Sequence, residues 1–213
     1  GKVATIKVNA AVEQGKEYAF KVTAVSTEGK KIHYFTRIKY YGSDCFFDDK
    51  LNFIMDFHNK TFDKSKVGSL SRYLEYSSTK KNDNFADVDI HSSVDVIGWG
   101  ELKPQIVSKI IPTIKELNIE TTSVSIEYLV KIKSGDGEEI CRAKEFYRVR
   151  YSSGRAYLLK FNRTMETVFN IKNTSLSENE FKVGITDNSD IEMVYTEEKN
   201  RVAFAIGGEL WEY

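Results

Sequence analysis

Four groups of side chains in this sequence have the types and spacing that chemistry needs. The first is a single acid on an apolar face. Around Cys141 to Tyr151 the residues alternate, so Cys141, Ala143, Tyr147, Val149 and Tyr151 fall on one side of an extended chain. Glu145 falls with them. A carboxylate taken out of water is costly unless it is paired, and Cys141 and Ala143 are small enough to leave room above it. With Tyr128 on the preceding strand, Glu145, Tyr147, Tyr128 and Cys141 form a candidate ligand-binding floor. A β-bulge, or a sheet end at which Glu145 reaches water, accounts for the same pattern.

The second group is two carboxylate–histidine alternations, Asp56-Phe57-His58 and Asp87-Val88-Asp89-Ile90-His91. On strands, each set shares a face. Imidazole and carboxylate oxygen are ordinary ligands for zinc or iron, so Asp56, His58, Asp89 and His91 make a candidate metal site for a hydrolase if the two strands meet. A solvated strand face with a hydrogen-bonded histidine is the plainer account.

The third group is basic. Arg142, Lys144, Arg148 and Arg150 occupy the face opposite Glu145, with Lys131, Lys133, Lys160 and Arg163 nearby and Phe146 among them. Such a face is a candidate anion-binding surface, and cations beside an aromatic ring also suit single-stranded nucleic acid. However, Lys plus Arg equals Asp plus Glu, at 31 each, and a charged solvent face is common on sheets. Nucleic acid is therefore not the expected partner. The fourth group is Gly98-Trp99-Gly100. Glycines ahead of a helix can admit an anion to free N–H groups, but there is no third glycine, and a tryptophan between glycines also serves as a packing anchor.

No nucleophile elbow, phosphate loop or cofactor fingerprint is present, and no cofactor is expected. Three histidines are few for acid–base work, and the two cysteines, Cys45 and Cys141, lack zinc or redox spacing. No apolar run is long enough for a transmembrane segment. Three Asn-x-Ser/Thr triplets are close to the number chance gives in so Asn/Ser/Thr-rich a chain. Gly1-Lys2-Val3-Ala4-Thr5 is spelled like a myristoylation start were a methionine to precede it, and equally like a glycine left by cleavage.

The elements that must position these residues are mostly strands. Ser123–Arg163 is the clearest stretch. Val124, Ile126, Tyr128, Val130 and Ile132 alternate with polar residues. The second strand follows Ser134-Gly135-Asp136-Gly137, a hairpin signal. A third adds Tyr157, Leu159 and Phe161 to the apolar face. A four-residue loop sets Lys133 opposite Glu138 and Glu127 opposite Lys144, a register favoured by opposite charge. Further strands are expected at Val3–Asn9, Glu17–Val25, Lys31–Tyr41, Leu51–His58, Ala86–Ile97, Glu166–Lys172, Phe181–Thr186, Ile191–Thr196, Arg201–Ile206 and Glu209–Tyr213, with a turn or edge at Asp44–Asp49. Two helices are expected, one capped by Asp63 with Val67, Leu70 and Leu74. The other starts near Pro104, carries Ile106, Ile110, Ile114 and Leu117, and is kinked at Pro112.

The resulting fold class is α+β: a large, mainly antiparallel, curved sheet, or two packed sheets with meander connections, with two mid-chain helices on one side. The 213 residues suit a single domain, 1–213, with a weak two-half organisation at 1–85 and 86–213. Thirteen Phe and twelve Tyr against two Pro favour ordered strands over disorder. The balance favours a non-catalytic binding or assembly protein, meeting a protein partner or itself through a strand-rich, tyrosine-rich surface. Tyr40, Tyr41, Phe46 and Phe47 are candidates for that surface. A small-ligand carrier with a pocket at Glu145 and a metal-dependent hydrolase are the alternatives.

Overall fold

The structure is a computed structural model that describes residues 5, 7, 11–134, 137–168, 176–177, 180–181, 193–198, 201–206 and 209–212. In chain order its elements are β1 (Glu17–Val25), β2 (Lys31–Lys39), α1 (Phe47–Thr61), a 3-10 helix (Val67–Tyr73), β3 (Asp87–Asp89), α2 (Val94–Ile97), β4 (Gln105–Ile106) and β5 (Thr113–Leu117). There follow β6 (Thr121–Ser134), β7 (Gly137–Ser152), β8 (Arg155–Thr167), β9 (Leu176–Ser177), β10 (Glu180–Phe181), β11 (Met193–Tyr195), β12 (Val202–Ile206) and β13 (Glu209–Glu212). The fold is α+β, dominated by antiparallel strands. Most of the expected strand Val3–Asn9, the loop residues Gly135 and Asp136, and most of Phe181–Thr186 lie outside the described residues.

The ladder β6–β7–β8 forms because its alternation is long and each strand buries one face. Val124, Ile126, Tyr128, Val130, Cys141, Ala143, Tyr147 and Val149 are all buried. Glu127 faces Lys144 and Lys133 faces Glu138, as the charges favour, and pairing continues one step to Ser134 and Gly137. The main sheet runs β3-β8-β7-β6-β4, with β5 also on β6. Beside it stand the hairpin β1–β2, a short pair β9–β10 and the three strands β11-β12-β13.

The third strand departs from simple alternation. Arg148 pairs with Lys160 but Val149 pairs with Leu158, so Leu159 is an extra residue in β8. A one-residue bulge exchanges the faces of everything beyond it. Leu158 is buried, whereas Leu159 is 41% exposed, correcting its expected place on the inner face. Tyr157 points outward, between Arg150 and Arg155. Arg163, expected among the outer cations, is buried on the inner face opposite Glu145.

Of the two expected helices the first is present as the 3-10 helix Val67–Tyr73, the second is corrected, and a further segment, α1, is helical where a strand was expected. Residues 47–61 are helical rather than a turn and a strand. Lys50, Ile54, Phe57, His58 and Thr61 recur at helical spacing and are the buried residues of α1. Leu51, Phe53, Met55 and Phe57 also alternate, which imitates a strand. Asp48 and Asp49 in the first turn and Lys60 in the last suit the helix dipole. Lys50, at the start of α1, donates to the carbonyls of Asn118 and Ile119 at 3.2 and 3.1 Å and so pins the turn before β6.

Residues 104–117 hold strands β4 and β5 instead of a helix. Pro112 removes a donor and clashes with a preceding turn, and Ile106, Val107, Ile110, Ile111, Thr113 and Ile114 are β-branched. Asp63 does not cap a long helix. Its carboxylate accepts from Ser65 N and Oγ at 3.0 and 2.6 Å, and only the 3-10 helix follows, with Leu70 buried. Ala86–Ile97 is extended only at β3, and Ser93 then caps α2 through Val96 N. Among the described residues, no helix is long and apolar enough to cross a membrane.

Candidate functional site

Helix α1 lies on the inner face of the ladder, and Phe57 meets Tyr147 and Phe161 at ring distances of 5.8 and 5.3 Å. The next residue, His58, is thereby set over β7. Its Nδ1 lies 2.7 Å from Glu145 Oε2. Tyr147 donates to the same oxygen at 2.7 Å, and Tyr128 donates to Oε1 at 2.8 Å. Tyr128 has room to do so because its own cross-strand partner is Ala143. Directly across the sheet from Glu145 stands Arg163. Its guanidinium donates to the carbonyls of Val96 and Ile97 at 2.9 and 2.8 Å, closing the end of α2. It also stacks 3.5 Å from the centre of the Trp99 ring.

This is a buried ion network. His58, Glu145 and Arg163 are at most 1% exposed. Burial pushes the Glu145 carboxyl up. The hydrogen bond from His58, the charge of His58 when protonated, the charge of Arg163 and the Tyr147 hydroxyl outweigh it and hold the group below the usual range. Burial raises both phenols, and the Glu145 charge adds to it, so Tyr128 and Tyr147 remain donors. Burial lowers Arg163, opposed by Glu145. His58 Nε2, Arg163 Nε and Trp99 Nε1 have no protein hydrogen-bond partner among the described residues.

Three of the four residues read as a ligand floor thus converge, and protein donors occupy the carboxylate. The fourth, Cys141, lies 3.9 Å from Thr167 Oγ1. The four residues read as metal ligands are placed separately. Asp56 bonds Lys60 at 2.5 Å on an exposed part of α1, since positions two apart on a helix point away from each other. Asp89 meets Lys80 at 2.9 Å and accepts from His91 N at 2.8 Å. His91 Nδ1 lies 2.8 Å from the Glu75 carbonyl. No group of three or more metal-ligating side chains gathers among the described residues.

The basic face is internally compensated. Arg142 lies 3.4 Å from Glu127 and 3.5 Å from Glu166, Lys144 3.7 Å from Glu166, and Arg148 3.8 Å from Glu116. Arg150 stacks on Tyr157, and Lys160 on Phe146. Gly98-Trp99-Gly100 follows the helix α2 and leads into strand β4, so the anion reading of those glycines is corrected. Trp99 is a buried anchor at 1% exposure with a left-handed φ of 67°.

A second feature lies on the surface. Strands β1 and β2 pair over nine consecutive positions around a turn in which Gly29 takes φ 81°. One face holds Tyr18, Phe20, Val22 and Ala24 opposite Ile38, Thr36, Tyr34 and Ile32. It carries no charge. The other face holds Glu17, Lys21, Lys31, Arg37 and Lys39, with His33 and Phe35. Tyr18, Phe20 and Ile38 are half-buried, but Val22, Ile32 and Tyr34 are exposed, Tyr34 at 57%. Near the base, Tyr40 and Phe46 are also exposed, and the Phe46 ring lies 5.1 Å from Tyr151. The alternation of both strands is readable from sequence, but the lack of a covering layer is not.

No family model, curated protein or solved structure matches the chain.

Proposed function

We propose that this chain is a non-catalytic binding or assembly protein whose contact element is the β1–β2 hairpin. The observation that carries this reading is a hairpin paired over nine positions with one charge-free face, exposed over its outer half. A two-stranded ribbon is marginal by itself in water, and a third strand or a packed layer is what ordinarily stabilises it. A contiguous exposed apolar face is the usual mark of an interaction site. Tyr34 and Tyr40 give it aromatic anchors of the kind enriched in interfaces. The carrier and hydrolase alternatives have no comparable support, because His58 of α1 holds Glu145 and the Asp/His pairs are apart.

Light scattering over a concentration series tests the reading. The mass should rise from monomer towards dimer, and Val22→Lys, which places a charge on the free face of β1, should shift the protein towards monomer mass without lowering its melting temperature. A wild type that stays strictly monomeric at every concentration removes the assembly branch.

A further inference from the structure

We infer that β1 pairs antiparallel with the β1 of a second copy about a two-fold axis through Ala19, joining two hairpins into a four-stranded sheet. This rests on the assembly reading above and gives its geometry.

The first support is which sheet edges are long and unpaired among the described residues. The main sheet ends on one side in β3, of three residues, and on the other in β4 and β5, of two and five. β5 follows Pro112 and breaks register between Ile114 and Glu116, with Lys115 at the break. Shortness, proline, a bulge and lysine are the devices that prevent edge pairing. β1 has none of the first three. It runs nine residues in unbroken register and carries one lysine and one glutamate. β2 carries Lys31, Arg37 and Lys39, of which Lys31 would oppose Lys39 in an antiparallel pair centred on Phe35, and its Phe35–Lys39 half faces β5 across a groove of about 950 Å3.

The second support is the self-complementarity of β1. In antiparallel pairing, directly opposed residues share a face, so only registers that match parity keep the charge-free faces together. Centring on Lys21 sets two ammonium groups together. Centring on Phe20 leaves both charged residues without an opposite charge. Centring on Ala19 pairs Glu17 with Lys21 and Lys21 with Glu17 on one face. On the other face it pairs Tyr18 with Phe20 and Phe20 with Tyr18. Opposite charges and paired aromatics are the favourable cross-strand combinations. Lys21 has its amine over the Phe35 ring and Glu17 meets Arg37 at 3.1 Å, both on this outer face. The overlap in this register is Glu17–Lys21 of each copy, because the chain turns at Gly15, where Lys16 N donates to the Glu13 carbonyl.

A cysteine at the axis provides the test. Directly opposed residues have Cα atoms about 4.5–5.5 Å apart, within disulfide range. Ala19→Cys should give a disulfide-linked dimer under mild oxidation, whereas Ala24→Cys should not. Cys45 and Cys141 are each 1% exposed and do not compete. Lys21→Glu should weaken the dimer about tenfold, since symmetry makes it alter two pairs. Adding Glu17→Lys to that variant should restore the dimer. A wild-type dimer that Ala19→Cys does not cross-link and Lys21→Glu does not weaken overturns this register and leaves the assembly reading standing. A strictly monomeric wild type overturns both.

Discussion

Glu145 is the residue on which the core's polar order depends. Its carboxylate takes three hydrogen bonds from α1, β6 and β7. Removing one member of a buried charged network leaves the others desolvated and unpaired, at a cost of about 3–5 kcal/mol. His58→Ala should therefore lower stability by that amount in urea titration, well beyond the loss of ring packing on Phe62 and Tyr128. An unchanged midpoint would mean that the network does not constrain the fold. The pH dependence has a definite sign. The folded carboxyl sits below its unfolded value of about 4.3, so its contribution is complete above that value and is lost as pH falls through the folded value. Wild type should lose stability below about pH 4, and Glu145→Gln should show a shallower acid limb. Asp63, held at about 2 by the Ser65 hydroxyl and Lys66, titrates in the same region. The difference between wild type and variant isolates Glu145. Alternation along β6 and β7 is enough to put Glu145, Tyr128 and Tyr147 on one face. Arg163 belongs to that face too, two residues beyond the inward Phe161, and the extra residue Leu159 is what sets it directly opposite Glu145; alternation misses His58 because helix and strand spacings overlap in residues 51–58.

At the scale of elements, the site depends on how α2 is held. Arg163 closes its carbonyl end, and Gly98 follows immediately. A Cβ on Gly98 would stand 2.6 Å from Val67 Cγ2 of the 3-10 helix. That distance leaves no room, so Gly98→Ala should cost about 1–3 kcal/mol. The double variant with Val67→Ala should recover part of it, as expected for neighbours that share one space. Full additivity of the two losses would show that they do not meet. The reversal in residues 104–117 belongs to this scale too. An isoleucine stripe spaced three and four apart satisfies the period of a helix, yet Pro112 and β-branching favour extended chain. β6 offers a free edge for β4 and β5 to pair with.

At the scale of the molecule, among the described residues, the edges of the main sheet are short or interrupted, and a long uninterrupted edge lies on the hairpin β1–β2. The contrast explains why the proposed contact is placed at β1. On the basic outer face of the ladder, Arg142, Lys144 and Arg148 meet Glu116, Glu127 and Glu166 within the chain.

The sequence by itself determined the ladder, its charge-matched register and the two strands of the hairpin, because strand alternation and cross-strand charge are local properties of successive residues. Only the tertiary structure decided that His58 and Arg163 meet around Glu145. That depends on a helix written in the same spacing as a strand, and on one extra residue in β8. Both are settled by packing across the core.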